Sequence, residues 1–180
     1  TDDHSLYFVR PNIQRVARQL DVDYPRFRRW IAFHEVSHAA EFGAAPWLPG
    51  YLEDRMHGTV SALSEGSLDR EAFGELNTAM TAVEGYAEFL MDRAFDEEYA
   101  DLRAKLDARR QGGGPFVQLM RRLLGLGLKR QQYERGAEFF AAIADARGLA
   151  AASAVWERPE NLPTDEELDS PGRWLHRVEP

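Results

Sequence analysis

The chain has 180 residues, of which 44% are hydrophobic and 29% charged, as expected for a single globular domain with one core. A net charge of −8 argues against general nucleic-acid binding, and the absence of cysteine excludes disulfides and thiolate metal ligands. No apolar run approaches the roughly 20 residues that span a bilayer, and the first residues do not resemble a signal peptide. We therefore expect a cytoplasmic protein without a transmembrane segment.

The amino-terminal part is predicted to contain one strand and two helices. The apolar run Leu6 to Val9, which ends at Arg10-Pro11, predicts a short strand. Asn12 to Leu20 is amphipathic and predicts a short helix. A second helix is predicted from about Pro25 to Phe42, because proline is tolerated in a first turn and Gly43 is a natural left-handed end. Its apolar composition beyond Trp30 predicts that it is buried.

Residues 34–38 of this second helix read His-Glu-Val-Ser-His, the pattern H-E-x-x-H. The four-residue spacing puts His34 and His38 on one face, where both can bind a single metal ion. Glu35 points close to that metal without having to ligate it, and there it can accept a proton from a water molecule on the metal. The alternative, a surface helix with solvated histidines, fits the apolar surroundings poorly.

Glu41 follows His38 by three residues on the same stripe of the helix. It can orient a metal-bound imidazole through a hydrogen bond. It can equally pair with an arginine of a neighbouring helix, and the sequence leaves both interpretations open.

The third metal ligand has to come from elsewhere in the chain, because a catalytic zinc ion usually takes three protein ligands. The remaining histidines, at positions 4, 57 and 176, lie in no recognisable ligand pattern. Glu84 is the better candidate, since it falls at the edge of the buried face of a long helix predicted over Asp69 to Phe95. Glu88 lies one turn further on. Gly85 between them predicts the close approach of another backbone, such as the histidine helix.

The segment from Asp101 to Arg135 is basic, with nine lysines and arginines against three acidic residues. It contains a triple glycine at 112–114 and an apolar helical pattern over Pro115 to Leu124. Three interpretations remain open: a solvated helix pair with a hinge, a mobile flap over the active site, or a basic surface for an anionic partner.

The remaining elements are also predicted to be helical, so the fold class is mostly α, in a single domain over residues 1–180. Thr164 begins a capping-box pattern and Pro171 begins a final short helix. The other predicted segments are a rigid loop over Ala44 to Gly50 and helices over Tyr51 to Leu63, Glu98 to Arg110, Lys129 to Arg147 and Leu149 to Val155.

The stretches HEVSHAAEFGAAPWL, from His34, and VEGYAEFLMD, from Val83, resemble the gluzincin group of zinc metallopeptidases. More closely, the chain from Leu6 onward is similar to bacterial zincin-like hydrolases labelled as associated with the biosynthesis of a deazaflavin coenzyme. The resemblance implies a zincin-like helical domain with one zinc ion held by His34, His38 and Glu84. It also implies that Glu35 is the base and that Glu88 supports a histidine. Family members are longer at the amino terminus, so the resemblance implies that this chain is trimmed or incomplete there.

Zinc peptidases of this type generally need a donor that steadies the oxyanion beside the metal. Tyr133 and Tyr86 are the candidates. Tyr86 lies about 160° around the helix from Glu84, so we expect it to pack in the core. Tyr133 is predicted to approach the metal across a cleft, against the alternative that it packs at a helix interface.

The sequence therefore predicts a zinc-dependent hydrolase, and specifically a metallopeptidase that cleaves a peptide or related amide bond. The alternative is a non-catalytic, zinc-stabilised interaction or scaffold protein, for which Glu35 would have no use. A di-iron or di-manganese bundle needs a second E-x-x-H motif, and the chain has none.

Overall fold

The computed structural model describes residues 6–67, 69–95, 99–111 and 130–180, without the side chains of residues 63, 107–111 and 130–133. The longer helices are α1 (Arg10–Leu20), α2 (Tyr24–Ala44), α3 (Leu48–Ser64), α4 (Arg70–Ala94), α5 (Ala100–Gln111) and α6 (Arg130–Arg147). Shorter helices follow, namely α7 (Leu149–Ser153), 3₁₀ turns at Ala154–Trp156 and Pro159–Asn161, α8 (Asp165–Asp169) and α9 (Pro171–Val178). The described residues contain no β-strand, so the mostly α fold class is confirmed.

Three local predictions near the amino terminus were wrong. Leu6 to Val9 form no strand; they are exposed and have no regular structure. Gly43 does not end α2, which continues to Ala44 without a left-handed residue. The predicted loop over Ala44 to Gly50 is shorter, because α3 already begins at Leu48 and places Pro49 in its first turn, where proline is tolerated.

Helix α4 is the centre of the fold, and α2, α3 and α6 all pack against it. Asp69 is the N-cap of this helix, and its carboxylate accepts a hydrogen bond of 2.9 Å from the backbone N–H of Ala72. Every residue from Thr78 to Ala87 is buried. The prediction that Glu84 lies at an edge of the buried face was therefore wrong, because neighbouring helices surround this part of α4 and bury Glu84 completely.

The closest helix contact is between α4 and α6. A Cβ placed on Gly85 would lie 2.4 Å from the Cα of Gly136, and one on Gly136 would lie 2.3 Å from the carbonyl oxygen of Thr81. Only glycine fits at both positions, and a methyl group on either would force the helices apart. The prediction of a close backbone at Gly85 was right, but the backbone belongs to α6 and not to the histidine helix.

Two groups of apolar side chains form the core. The larger group lies between α4, α6 and the carboxy-terminal helices, and it includes Phe139, Phe140, Trp156 and Trp174. The smaller group joins α1, α2, α5 and the end of α4 around Phe27 and Trp30. Because α2 contacts this smaller group and the middle of α4, its position along α4 is determined at two points.

The carboxy-terminal helices are held by a capping box, as predicted. The side chain of Thr164 accepts a hydrogen bond from the backbone N–H of Glu167, and the Glu167 carboxylate accepts one from the N–H of Thr164. Arg177 pairs with the same carboxylate at 2.7 Å. Among the described residues, no helix combines the length and hydropathy needed to cross a membrane.

Candidate metal centre

The histidine helix is buried along one stripe and exposed on the other side, which corrects the prediction that it is buried throughout. His34, Ser37 and Glu41 are buried, whereas Phe33 and Val36 are exposed. Asp23 is the N-cap of α2, and its carboxylate accepts a hydrogen bond from the backbone N–H of Arg26. The buried stripe faces α4, so both histidines are directed toward the helix that carries Glu84.

His34, His38 and Glu84 come together although α2 and α4 are far apart in sequence. Each offers one ligand atom, and these atoms all lie within 4.8 Å of one another. The distance from His38 Nε2 to Glu84 Oε2 is 3.8 Å. Tetrahedral zinc with bonds of about 2.0–2.1 Å needs its ligand atoms roughly 3.4 Å apart. Small movements of the three side chains would bring their ligand atoms to that separation. Two imidazoles and one carboxylate therefore fit a zinc site with one position open.

Glu35 lies beside this group without belonging to it. Its Oε1 atom is 3.9 Å from Nδ1 of His34, beyond hydrogen-bond distance. Nearly half of its side chain, 47%, is exposed, in contrast to the buried Glu84. The carboxylate can therefore meet both a ligand in the site and the solvent, as a residue that transfers protons must.

Glu41 holds the ring of His38. Its Oε2 atom lies 2.9 Å from Nδ1 of His38, which leaves Nε2 of the same ring facing Glu84. Of the two interpretations of Glu41, the structure shows the histidine partner. The other carboxylate oxygen, Oε1, is buried without a hydrogen-bond partner among the described residues.

The pair of His38 and Glu41 holds protons more tightly than the isolated side chains would. Burial disfavours a charged His38, but the hydrogen bond to Glu41 and the charges of Glu41, Glu84 and Glu35 outweigh burial and raise the pKa of His38 to about 9. For Glu41 the effect of burial has the opposite sign: burial raises the pKa of this carboxyl to about 7, although the hydrogen bond to His38 and the charge of His38 lower it. A metal ion bound to His38 would have to displace a proton from this ring.

We expect the metal-free protein to lose stability as the pH rises from about 5 to about 9. The ordinary pKa values are 6.5 for His38 and 4.5 for Glu41, and both are raised in the folded chain. The contribution of His38 to the free energy of unfolding is fully present below pH 6.5 and is lost as the pH rises through about 9. Ionisation of buried Glu41 lowers the free energy of unfolding further between pH 4.5 and about 7. Urea unfolding of chelator-treated protein across this range measures the effect.

Glu41→Gln should flatten this pH profile, and the control His57→Ala, which changes an exposed histidine of α3, should not. Stability that is constant or rises between pH 5 and pH 9 would contradict the assignment. Zinc should offset the loss, because its affinity increases as the proton leaves His38.

The remaining predicted residues have other surroundings. Glu88 lies one turn beyond Glu84 and accepts a hydrogen bond of 2.8 Å from Arg103 of α5, which also pairs with Asp92. The prediction that Glu88 bonds a histidine stays untested. No local sequence pattern pointed to Arg103, because its contact depends on how α5 returns to α4.

The two tyrosine candidates differ in what the structure describes. Tyr86 is buried in the core, as predicted. Its hydroxyl lies 3.0 Å from Oγ of Ser153. Tyr133 belongs to α6, but its side chain lies outside the described part of the chain, as do the triple glycine and the segment 115–124.

The chain is similar to a known protein family and to a solved structure. A family profile described as "Zincin-like metallopeptidase" matches residues 1–67 and 52–175. A solved structure from Chloroflexus aurantiacus, described as "a putative hydrolase with a novel fold", is 37% identical and has a TM-score of 0.79. It matches 97% of this chain, which spans only 59% of that protein's length. No protein of curated function matches the chain. Neither match mentions a deazaflavin coenzyme, so that association stays a prediction.

Proposed function

The chain belongs to the zincin-like metallopeptidase family, and on this premise we propose that it is a zinc-dependent hydrolase of a peptide or related amide bond. The observation that carries the proposal is the group of His34, His38 and Glu84, with Glu35 beside it and not part of it. A purely structural zinc site has no use for a partly exposed carboxylate in that position. This argues against a zinc-stabilised scaffold protein.

His34, His38 and Glu84 would hold the zinc ion. When bound, zinc supplies a Lewis acid that polarises the substrate carbonyl and lowers the pKa of a water molecule. Glu35 accepts the proton of the attacking water and delivers it to the leaving nitrogen, so one carboxylate serves both transfers. Its exposure allows it to move between these two positions.

The residues around the site keep the ligands in place. The carboxylate of Glu41 accepts a hydrogen bond from Nδ1–H of His38, which leaves Nε2 free for a metal. Glu88, which accepts a hydrogen bond from Arg103, lies one turn beyond Glu84, and we propose that it also supports a ligand histidine. We further propose Tyr133 as the donor that stabilises the oxyanion, on the basis of its place in α6.

Zinc reconstitution of the wild-type protein tests the proposed function. Protein stripped with a chelator and reloaded is expected to retain one zinc ion per chain by elemental analysis. A peptide library followed by mass spectrometry should then show cleavage that disappears on stripping and returns with zinc. The control His57→Ala should bind zinc as the wild type does. Failure to retain zinc would refute the proposal, and retention without any cleavage would favour the scaffold protein.

A further inference from the structure

Trp30 lies one turn before His34 on α2, and its indole stacks on the imidazole of His34. The ring centroids are 5.5 Å apart and the planes differ by 29°. On the other side, the ring of His38 meets His34 edge to face, at 4.6 Å and 78°. Three rings thus form a continuous row along the buried stripe of the helix, and His34 is in the middle.

This arrangement restricts the orientation of the His34 ring. The second side-chain torsion of histidine has broad minima, so a ligand ring needs neighbours to hold its plane. His38 is held by its hydrogen bond to Glu41. The indole of Trp30 packs against the imidazole of His34 at a small interplanar angle, so it restricts rotation of the His34 ring out of that plane.

The indole itself has little freedom to move. Trp30 is only 6% exposed and packs in the smaller core group, whose other buried members come from α1, α2, α4, α5 and the residue directly before α5. These are Ala17, Leu20, Phe27, Met91, Tyr99, Leu102 and Leu106. The position of the indole therefore depends on four helices, and the stack transmits that rigidity to His34.

We propose that Trp30 is a positioning residue of the metal centre, which fixes the plane of the His34 imidazole in the orientation that a metal ion requires. Trp30 touches neither the metal nor the substrate and acts only through His34. This inference rests on the proposed zinc site. It extends the motif in this chain to W-x-x-x-H-E-x-x-H, in which the tryptophan orients the first histidine.

The test compares Trp30→Leu with Trp30→Phe and with the control Phe27→Leu. Phe27 is buried in the same core group of α2 and makes no described ring contact with a histidine. Both leucine variants remove an aromatic ring from this group, so both should lower the unfolding temperature of the metal-free protein. Only Trp30→Leu should also weaken zinc binding, by about 10–100-fold, a typical loss when support of a ligand is removed.

Zinc affinity is measured by competition with a chromophoric chelator, and the geometry of the site by the visible absorption of the cobalt-substituted protein. Trp30→Phe keeps a ring to stack on His34 and should retain wild-type affinity and spectrum. Phe27→Leu should do the same despite its lower stability. Trp30→Leu should alter the cobalt spectrum. If Trp30→Leu does not fold, Trp30→Met replaces it with the same expectations, because the unbranched, flexible methionine side chain adapts to an irregular space without supplying a ring.

The inference is overturned if the wild type binds zinc and Trp30→Leu, or Trp30→Met in its place, loses no more zinc affinity than Phe27→Leu. The proposed function would survive that result. If the wild type itself binds no zinc, the proposed function fails, and the role of Trp30 fails with it.

Discussion

Glu35→Gln is expected to keep its zinc and to lose hydrolytic activity by about 10²–10⁴-fold, the usual contribution of a positioned acid or base. Glutamine has nearly the shape of glutamate but cannot take up a proton from water. Because Glu35 lies outside the ligand group and is 47% exposed, the substitution should disturb neither the fold nor the metal. Turnover of a peptide found in the library screen and zinc content by elemental analysis are the two measurements.

The matched control is Glu53→Gln, which removes an exposed carboxylate of α3 outside the site. Its activity should equal that of the wild type. A Glu35→Gln protein with normal turnover would refute the role of Glu35 as base. Loss of zinc from that variant would instead show that Glu35 helps to hold the metal.

Glu84→Ala is expected to abolish zinc binding at micromolar metal, whereas Glu88→Ala should weaken it by about 10–100-fold. Glu84 is buried among the ligand atoms, with Oε2 at 3.8 Å from Nε2 of His38. Glu88 makes a described ion pair with Arg103, and the smaller loss expected for its variant follows from its proposed support of a ligand histidine. Chelator competition on the two purified variants measures the difference. A Glu88→Ala protein without zinc beside a Glu84→Ala protein that retains it would reverse the two assignments.

The isosteric variant Glu84→Gln separates metal binding from folding. The negative charge of Glu84 repels the carboxylate of buried Glu41 but also attracts protonated His38, so its two effects on the stability of the metal-free protein oppose each other. Removing that charge should therefore change the stability of the metal-free protein little, while zinc affinity falls. A loss of both together would show that Glu84 is chiefly a structural residue.

The sequence was sufficient where the relevant distances are local. A four-residue spacing places His34 and His38 on one face of any α-helix, and the three-residue spacing from His38 to Glu41 permits their hydrogen bond. The capping box at Thr164 and the burial of Tyr86 also followed from spacing alone. The predicted helix ends were less accurate, as Gly43 and Pro49 show. A helix end tolerates glycine or proline, but the presence of either residue does not force a helix to end there.

Contacts between distant residues were decided by packing. The identity of Glu84 as the third member of the group was predicted, but its complete burial depends on α2, α3 and α6 surrounding α4. The partner of Gly85 turned out to be Gly136, and Glu88 pairs with Arg103. Each of these contacts joins helices separated by a connection whose length and direction no local pattern determines.

The sequence by itself therefore determined the chemistry available to this protein, namely two imidazoles, a base between them and a carboxylate on a later helix. The tertiary structure decided which atoms meet: it turned His38 Nε2 toward Glu84, left Glu35 partly exposed and placed Trp30 against His34. The physical reason is that helical periodicity specifies the face on which a side chain lies. The neighbours on that face depend on the volumes of the side chains that the packed helices bury together.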